Sequence, residues 1–220
     1  MGINLKADID AALKLYPLLK IIEKDGILGI AGDLELIHPE FNIPFETFSV
    51  ELSFPKEYPN CFPRVLETGG KIERIPNRHV YTNTGTLCLA VPPEERLLCR
   101  HGINMSRFIK NVLLPRLGEE YNVNNGGQYS REYSHGPDGF WEFYFKKFDT
   151  DDPNIVLKIL KCITEQNTPK GFELCICGIN EKYKKCHREA INEISCLGIP
   201  YLKWQLNYLN ENKFIKKSVN

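Results

Sequence analysis

Thirteen residues of the chain, Cys-Ile-Cys-Gly-Ile-Asn-Glu-Lys-Tyr-Lys-Lys-Cys-His, carry three thiols and an imidazole at Cys175, Cys177, Cys186 and His187. Four soft or borderline ligands this close together are what a closed tetrahedral zinc site requires. Gly178 allows the sharp turn that lets Cys175 and Cys177 converge, and Lys182, Lys184 and Lys185 offset the negative charge of a thiolate-rich site. A segment of about 55 residues has little core of its own, so a metal staple makes physical sense. The pattern therefore predicts a structural Zn²⁺ with Cys175, Cys177, Cys186 and His187 as its ligands. Cys162 and Cys196 lie outside the spacing and read as core thiols.

The rest of the chain reads as a different kind of object. At 220 residues with 42% hydrophobic and 25% charged side chains, it can bury an ordinary core. Lys plus Arg equals Asp plus Glu, 28 each, which argues against a general nucleic-acid coat. The balance is uneven. Residues 166–220 hold nine basic against five acidic groups, and the first 165 hold nineteen against twenty-three. That shift, with the Gln-Asn-Thr-Pro-Lys-Gly linker beginning at 166, predicts domains at 1–165 and 166–220. No secretory hydrophobic region follows Met1, and position 6 is Lys, which argues against myristoylation of Gly2. No run approaches a membrane span. A cytoplasmic location is expected, where eight cysteines serve as ligands or nucleophiles rather than disulfides.

Along the first 165 residues, 5–24 reads as an amphipathic helix and Asp25-Gly26 as a turn. The run 27–39 reads as a strand with a tight turn at Ala31-Gly32-Asp33. Phe45, Phe48, Val50, Leu52 and Phe54 include a period-2 strand, and 63–72 holds a further short one. Residues 70–103 read as a long irregular run broken at Pro92-Pro93, the kind of segment that carries function. Helices come next over 105–121, 139–148 and 151–164, with a polar surface loop at 122–138. The fold class expected is α+β: an N-terminal helix, an antiparallel meander sheet and C-terminal helices, with a small metal-bound tail.

Within the irregular run stands Arg78-His79-Val80-Tyr81-Thr82-Asn83-Thr84-Gly85-Thr86-Leu87-Cys88-Leu89. The plain reading of Cys88 is a thiol packed in a strand. The sharper one is a nucleophile presented on a loop, with His79 or Asn83 assisting. Cys99, beside Arg100 and His101, is the rival thiol, because cationic neighbours favour a thiolate. Cys61 reads as packing within a proline-rich turn, and His135 as a surface group on a loop.

These residues carry two resemblances. The spacing of Cys175, Cys177-Gly178, Tyr183-Lys184-Lys185 and Cys186-His187 resembles the SEC-C motif, a small zinc-binding segment found in bacterial proteins; the usual Gly-Ser-Gly after the second Cys reads Gly178-Ile179-Asn180 here. The order helix, meander, Pro55-x-x-Tyr58-Pro59-x-x-x-Pro63, strand and Gly85-x-Leu87-Cys88-Leu89 resembles the ubiquitin-conjugating (UBC) fold. The asparagine of that family's His-Pro-Asn turn is missing at its usual place. That departure weighs on transfer to an amine more than on holding a thioester. The resemblance implies a thiolate that takes an acyl group from an activated ubiquitin-like C-terminus.

The pairing of these features is similar to the stand-alone conjugating enzymes of short type II CBASS antiphage operons. It implies a partner that is either a ubiquitin-like protein or a cGAS/DncV-like nucleotidyltransferase whose C-terminus is the cargo. The alternatives are an inactive UBC-like module that grips such a tail, a Cys–His hydrolase built on Cys88 and His79, and a zinc-dependent nucleic-acid binder acting through the basic tail.

Overall fold

The computed structural model describes residues 4–24, 26–130 and 133–214, so Met1, Gly2, Asp25, Lys216 and Lys217 lie outside the described residues. The chain forms two compact units: Met1–Ala90 with His101–Glu132, and Val91–Arg100 with Tyr133–Asn220. The compositional boundary at 165 follows the order of the chain. The compact units instead group the helices after 133 with the Cys/His segment. Among the described residues, no helix is long and apolar enough to cross a membrane.

The first unit opens with α1 (Leu5–Leu15), capped by the Asn4 side chain, which accepts from the Ala7 N–H. The helix expected over 5–24 stops here. Pro17 disfavours the helical conformation for the residue before it, and Tyr16 sits at φ −125°, ψ 74°. Leu19–Lys24 is instead β1, followed by β2 (Ile27–Ile37), β3 (Pro44–Ser53) and β4 (Arg64–Glu67) in one antiparallel sheet of order β1-β2-β3-β4. The turn expected at Ala31-Gly32-Asp33 is absent. β2 pairs in unbroken register through it, from Gly29 opposite Ser53 to Leu36 opposite Glu46.

The strand period of two sorts these residues by face. Ile30 lies opposite Leu52, which lies opposite Val65, and Leu34 lies opposite Phe48. All five are buried. Asp8 of α1 is buried too. Its carboxylate accepts from Tyr58 Oη at 2.5 Å and from the backbone N–H of Met105 at 3.1 Å, which fastens α1 to the next helical segment.

That segment runs through α3 (Met105–Phe108), a π-helical turn (Ile109–Leu113) and α4 (Leu114–Asn124). Pro115 accounts for the π turn. Proline has no N–H for the carbonyl four residues back and its ring crowds that carbonyl, so the helix widens just before it. The Leu114 N–H accordingly donates to the Ile109 carbonyl, five residues back.

The second unit holds α2 (Pro92–Leu98), α5 (Pro137–Phe148), α6 (Pro153–Thr164), α7 (Arg188–Ser195) and α8 (Ile199–Glu211). The Pro92-Pro93 break expected in an irregular run is therefore the first turn of a helix, where a missing N–H costs nothing. Asp152 caps α6, its side chain accepting from the Asn154 N–H at 2.8 Å. The aromatic face of α5, with Trp141, Phe143, Tyr144 and Phe148 almost fully buried, packs with Ile159 and Leu160 of α6, Ile194 of α7 and Leu202 of α8. The Trp141 indole N–H donates to the Asn212 carbonyl at 2.8 Å.

Candidate functional site

The two thiol-bearing segments singled out in the sequence are both short hairpins. In the first unit, Tyr81 donates its N–H to the Thr86 carbonyl at 2.9 Å, Val80 bridges Leu87, and the Cys88 N–H donates to the His79 carbonyl at 2.7 Å. This register sets His79 opposite Cys88. Val80 and Leu87 are buried, and their neighbours His79 and Cys88 are half-buried. The hairpin is anchored on the sheet by a bridge from Thr86 to Leu66 and by the Leu87 N–H donating to the Val65 carbonyl at 2.8 Å. Gly85 adopts φ +74° in the turn, and a Cβ there would crowd Leu66 and Arg74 at 3.1 and 3.2 Å. The glycine ahead of the thiol is therefore a geometric requirement of the hairpin.

Burial alone would push the Cys88 thiol up. Hydrogen bonds with the His79 and Tyr81 side chains, and the charges of His79 and Arg116, outweigh it and hold the thiol below its ordinary value. His79 sits in the left-handed region at φ 48°, closing the 3₁₀ turn Pro76–Arg78, and its ring meets the Tyr129 ring edge-on at 5.7 Å. Behind it lies a buried ionic cluster centred on Glu120 of α4, which is 0% exposed. Glu120 accepts from Arg78 Nε at 2.9 Å and Tyr129 Oη at 2.7 Å, and pairs with Arg116 at 2.5 Å. Burial and the bond to Glu120 push the Tyr129 hydroxyl up to about 12, so it stays a donor at neutral pH.

Of the candidates named from sequence, Cys88 and His79 are brought together. Asn83 sits exposed at the tip of the turn. Cys99 is 1% exposed within the second unit, a core position for a thiol expected to rival Cys88. Cys61 is half-buried and His135 is exposed just ahead of α5. Sequence reasoning missed Tyr81, Arg116, Glu120 and Tyr129. Tyr81 was within reach, since it stands two hairpin pairs from Cys88, where the strand period of two returns to the same face. The others come from α4 and the segment after it, about 30 to 40 residues along the chain.

In the second unit, the Cys175 N–H donates to the Glu181 carbonyl at 2.9 Å, Leu174 bridges Lys182, and the Tyr183 N–H donates to the Glu173 carbonyl at 2.8 Å. Gly178, at φ +89°, turns the loop between the arms. Cys186 and His187 come directly after the 3₁₀ turn Tyr183–Lys185, with His187 at the start of α7. The ligand atoms of Cys175, Cys177, Cys186 and His187 all lie within 4.8 Å of one another, and this group could hold a metal ion. Cys177 Sγ is 3.6 Å from Cys186 Sγ, and His187 Nδ1 is 3.3 Å from Cys175 Sγ and 3.1 Å from Cys186 Sγ.

The other ring nitrogen, Nε2, lies 2.7 Å from the Phe148 carbonyl. A carbonyl only accepts, so Nε2 carries a proton, and Nδ1 is the ring nitrogen placed to bind a metal. The thiols divide in response to one another. Burial works against ionising Cys175, but hydrogen bonds from the Cys177 and His187 backbone, with others from their side chains, bring it down to about 6. Burial, then hydrogen bonding and negative charge from Cys175 and Cys177, push Cys186 up to about 12. A divalent cation at the centre would reverse that repulsion and ionise all three. The core positions expected for the two outlying thiols are not found. Cys196 is exposed, and Cys162 is half-buried with its thiol donating to the Asn167 carbonyl at 2.8 Å.

No protein-family model, curated protein or solved structure matches the chain.

Proposed function

We propose that the protein is a cysteine-dependent acyl carrier of the ubiquitin-conjugating kind, with Cys88 as its nucleophile and a structural Zn²⁺ in the second unit. The observation that carries the reading is the cross-strand pairing of Cys88 with His79 on a hairpin docked beside β4, with the thiol held below its ordinary value. The element order supports it: one helix, a four-stranded antiparallel meander, then the thiol-bearing segment.

In the proposed step, the Cys88 thiolate attacks the carbonyl carbon of a thioester on the C-terminus of a ubiquitin-like protein or a cGAS/DncV-like nucleotidyltransferase. A new C–S bond to Cys88 forms, and the bond to the donor's sulfur breaks. The donor leaves as a thiolate that takes up a proton from solvent. At transfer the acyl carbon is again the electrophile: an acceptor nucleophile bonds to it and gives its proton to solvent, and Cys88 leaves as the thiolate. His79 and Tyr81 hydrogen-bond the free thiol and favour its anion, both before loading and when Cys88 departs as the leaving group. A role in antiphage defence in the cytoplasm rests on the resemblance alone.

For the metal, tetrahedral Zn²⁺ with bonds of about 2.3 Å to sulfur and 2.0 Å to nitrogen would space its ligand atoms at roughly 3.5–3.8 Å. Cys177 Sγ and Cys186 Sγ, 3.6 Å apart, match that spacing, and His187 Nδ1 lies slightly inside it at 3.3 Å from Cys175 Sγ and 3.1 Å from Cys186 Sγ. With four protein ligands the shell is closed, which favours a structural role.

Co-expression with the neighbouring genes, followed by intact-mass measurement with and without a reducing thiol, tests the carrier. A partner-sized adduct that a thiol reagent releases, and that Cys88→Ala abolishes, is the expected result. The contact with His79 also favours a second reading, a Cys–His hydrolase. That reading predicts cleavage of a thioester or peptide with no adduct outlasting the reaction. A tight complex without an adduct or turnover would instead identify a binding module.

A further inference from the structure

Arg116 belongs to the first unit, on α4, and is 7% exposed. Its guanidinium pairs with Glu120, donates from a terminal nitrogen to the Arg78 carbonyl at 2.8 Å, and lies 5.2 Å from the centre of the Tyr129 ring. Each contact leads back to the hairpin. The Arg78 carbonyl belongs to the peptide that enters His79, whose left-handed backbone starts the first arm. Tyr129 packs edge-on against the His79 ring. The Arg78 side chain reaches round to Glu120 and to Asn124 Oδ1 at 2.6 Å.

The planar fork aims one terminal nitrogen, Nη2, whose two N–H bonds meet the Glu120 carboxylate and the Arg78 carbonyl at once. Burying the charges is costly, and such a cluster is a weak source of stability. Two guanidiniums also converge on one carboxylate, so the group leans positive, the sign a neighbouring thiolate favours.

We propose that Arg116, locked by Glu120, is a positioning residue for Cys88: it fixes the Arg78–His79 turn that presents the imidazole and sets a permanent positive charge beside the thiol. This rests on the reading of Cys88 as a nucleophile, but not on the identity of its cargo. The charged and titratable groups that act on the sulfur are His79 and Tyr81 from the hairpin, through hydrogen bonds, and Arg116 from α4, through its charge; Glu120, Arg78 and Tyr129 pack with Arg116. Removing the Arg116 charge disfavours the thiolate, so the Cys88 titration moves up and its reaction slows at pH values below the midpoint.

The test is site-resolved alkylation by iodoacetamide across a pH series, read by peptide mass spectrometry on the full chain with its metal. Exposed Cys196 serves as the internal reference. In the wild type, the Cys88 midpoint should lie below the ordinary range of a free thiol. Arg116→Gln should raise the Cys88 midpoint and slow its alkylation near neutrality by about tenfold, the effect of one unit of pKa. Arg116→Lys, which keeps the charge and loses the fork, should fall between.

Arg116→Gln leaves Glu120 less well paired and can cost the fold. The double variant Arg116→Gln with Glu120→Gln removes both charges and should still show the raised midpoint. An unchanged Cys88 midpoint in either folded variant overturns the proposal. Failure of the carrier reading shows separately, as an adduct missing from the wild type. An adduct formed by wild type alongside unmoved Arg116→Gln chemistry would sink Arg116's role and leave the carrier standing.

Discussion

The two hairpins use the same local device to opposite ends. Each is a short antiparallel pair closed over a positive-φ glycine, Gly85 in one and Gly178 in the other. The first sets one thiol among an imidazole, a tyrosine and a guanidinium, so the protein itself supplies the counter-charge. The second crowds three thiols against one imidazole, and its own charges conflict: Cys175 is drawn down to about 6 while Cys186 is driven up to about 12. A thiol that must react needs a neighbourhood that favours its anion while leaving the sulfur half-open. Thiols that must hold a cation can repel one another, because the cation settles the conflict. Position alone does not make a cysteine a nucleophile or a ligand; the sign of its neighbours does.

Stripping the proposed Zn²⁺ from the Cys/His cluster should separate the two regions most sharply. Chelation, or Cys175→Ser, should unfold the packing of Tyr183, α7 and neighbouring helices, because structural zinc commonly contributes about 10 kcal/mol or more to small domains. Both tryptophans, Trp141 and Trp204, lie in the second unit, so fluorescence should report that loss while Cys88 alkylation stays near its wild-type rate. A parallel loss of Cys88 reactivity would break the comparison.

Cys99→Ala should cost about 1 kcal/mol, a buried thiol traded for a small void, with no loss of adduct; thermal melting and intact mass together check this. Cys88→Ala should do the reverse, shifting stability by less than about 1 kcal/mol while abolishing the adduct entirely. Smallest of all, Asn83→Ala at the exposed turn tip should leave stability within about 0.5 kcal/mol and the Cys88 midpoint unmoved. A large drop in acyl transfer from Asn83→Ala, measured as adduct discharge onto an amine, would give the turn a chemical part and sharpen the contrast.

How legible each region was from sequence depends on how local its chemistry is. The four residues of the Cys/His cluster fall within thirteen residues, and their spacing predicted the set that the structure gathers. The α+β class and the antiparallel strands were readable because Phe48, Val50 and Leu52 alternate, and the structure lays them on one buried face. The errors came from weighing one signal against a stronger neighbour. Leu13, Tyr16, Leu19 and Ile22 keep helical spacing, yet Pro17 ends the helix between them. Pro92-Pro93 looked like a break, because a proline pair opens a helix only where good helix formers such as Glu94, Glu95, Arg96 and Leu97 stand after it.

The Glu120 cluster could not be read at all. Arg78, Arg116 and Tyr129 meet only after the chain has passed through the end of the sheet and two helical segments, and no spacing encodes that. The His79–Cys88 pair lay between these cases. Its hairpin was written in the glycine and the nine-residue separation, but reading it required the register and not only the residue types.

That register has a consequence for how such a site can change. Side chains alternate faces along each arm, with Val80 and Leu87 turned inward and His79 and Cys88 outward. Inserting or deleting a single residue between Tyr81 and Thr86 would leave every chemical group present and still move the thiol out of step with the imidazole. The turn's length works like a tuning peg: lineages and engineers alike could silence or restore the thiol there without altering either partner.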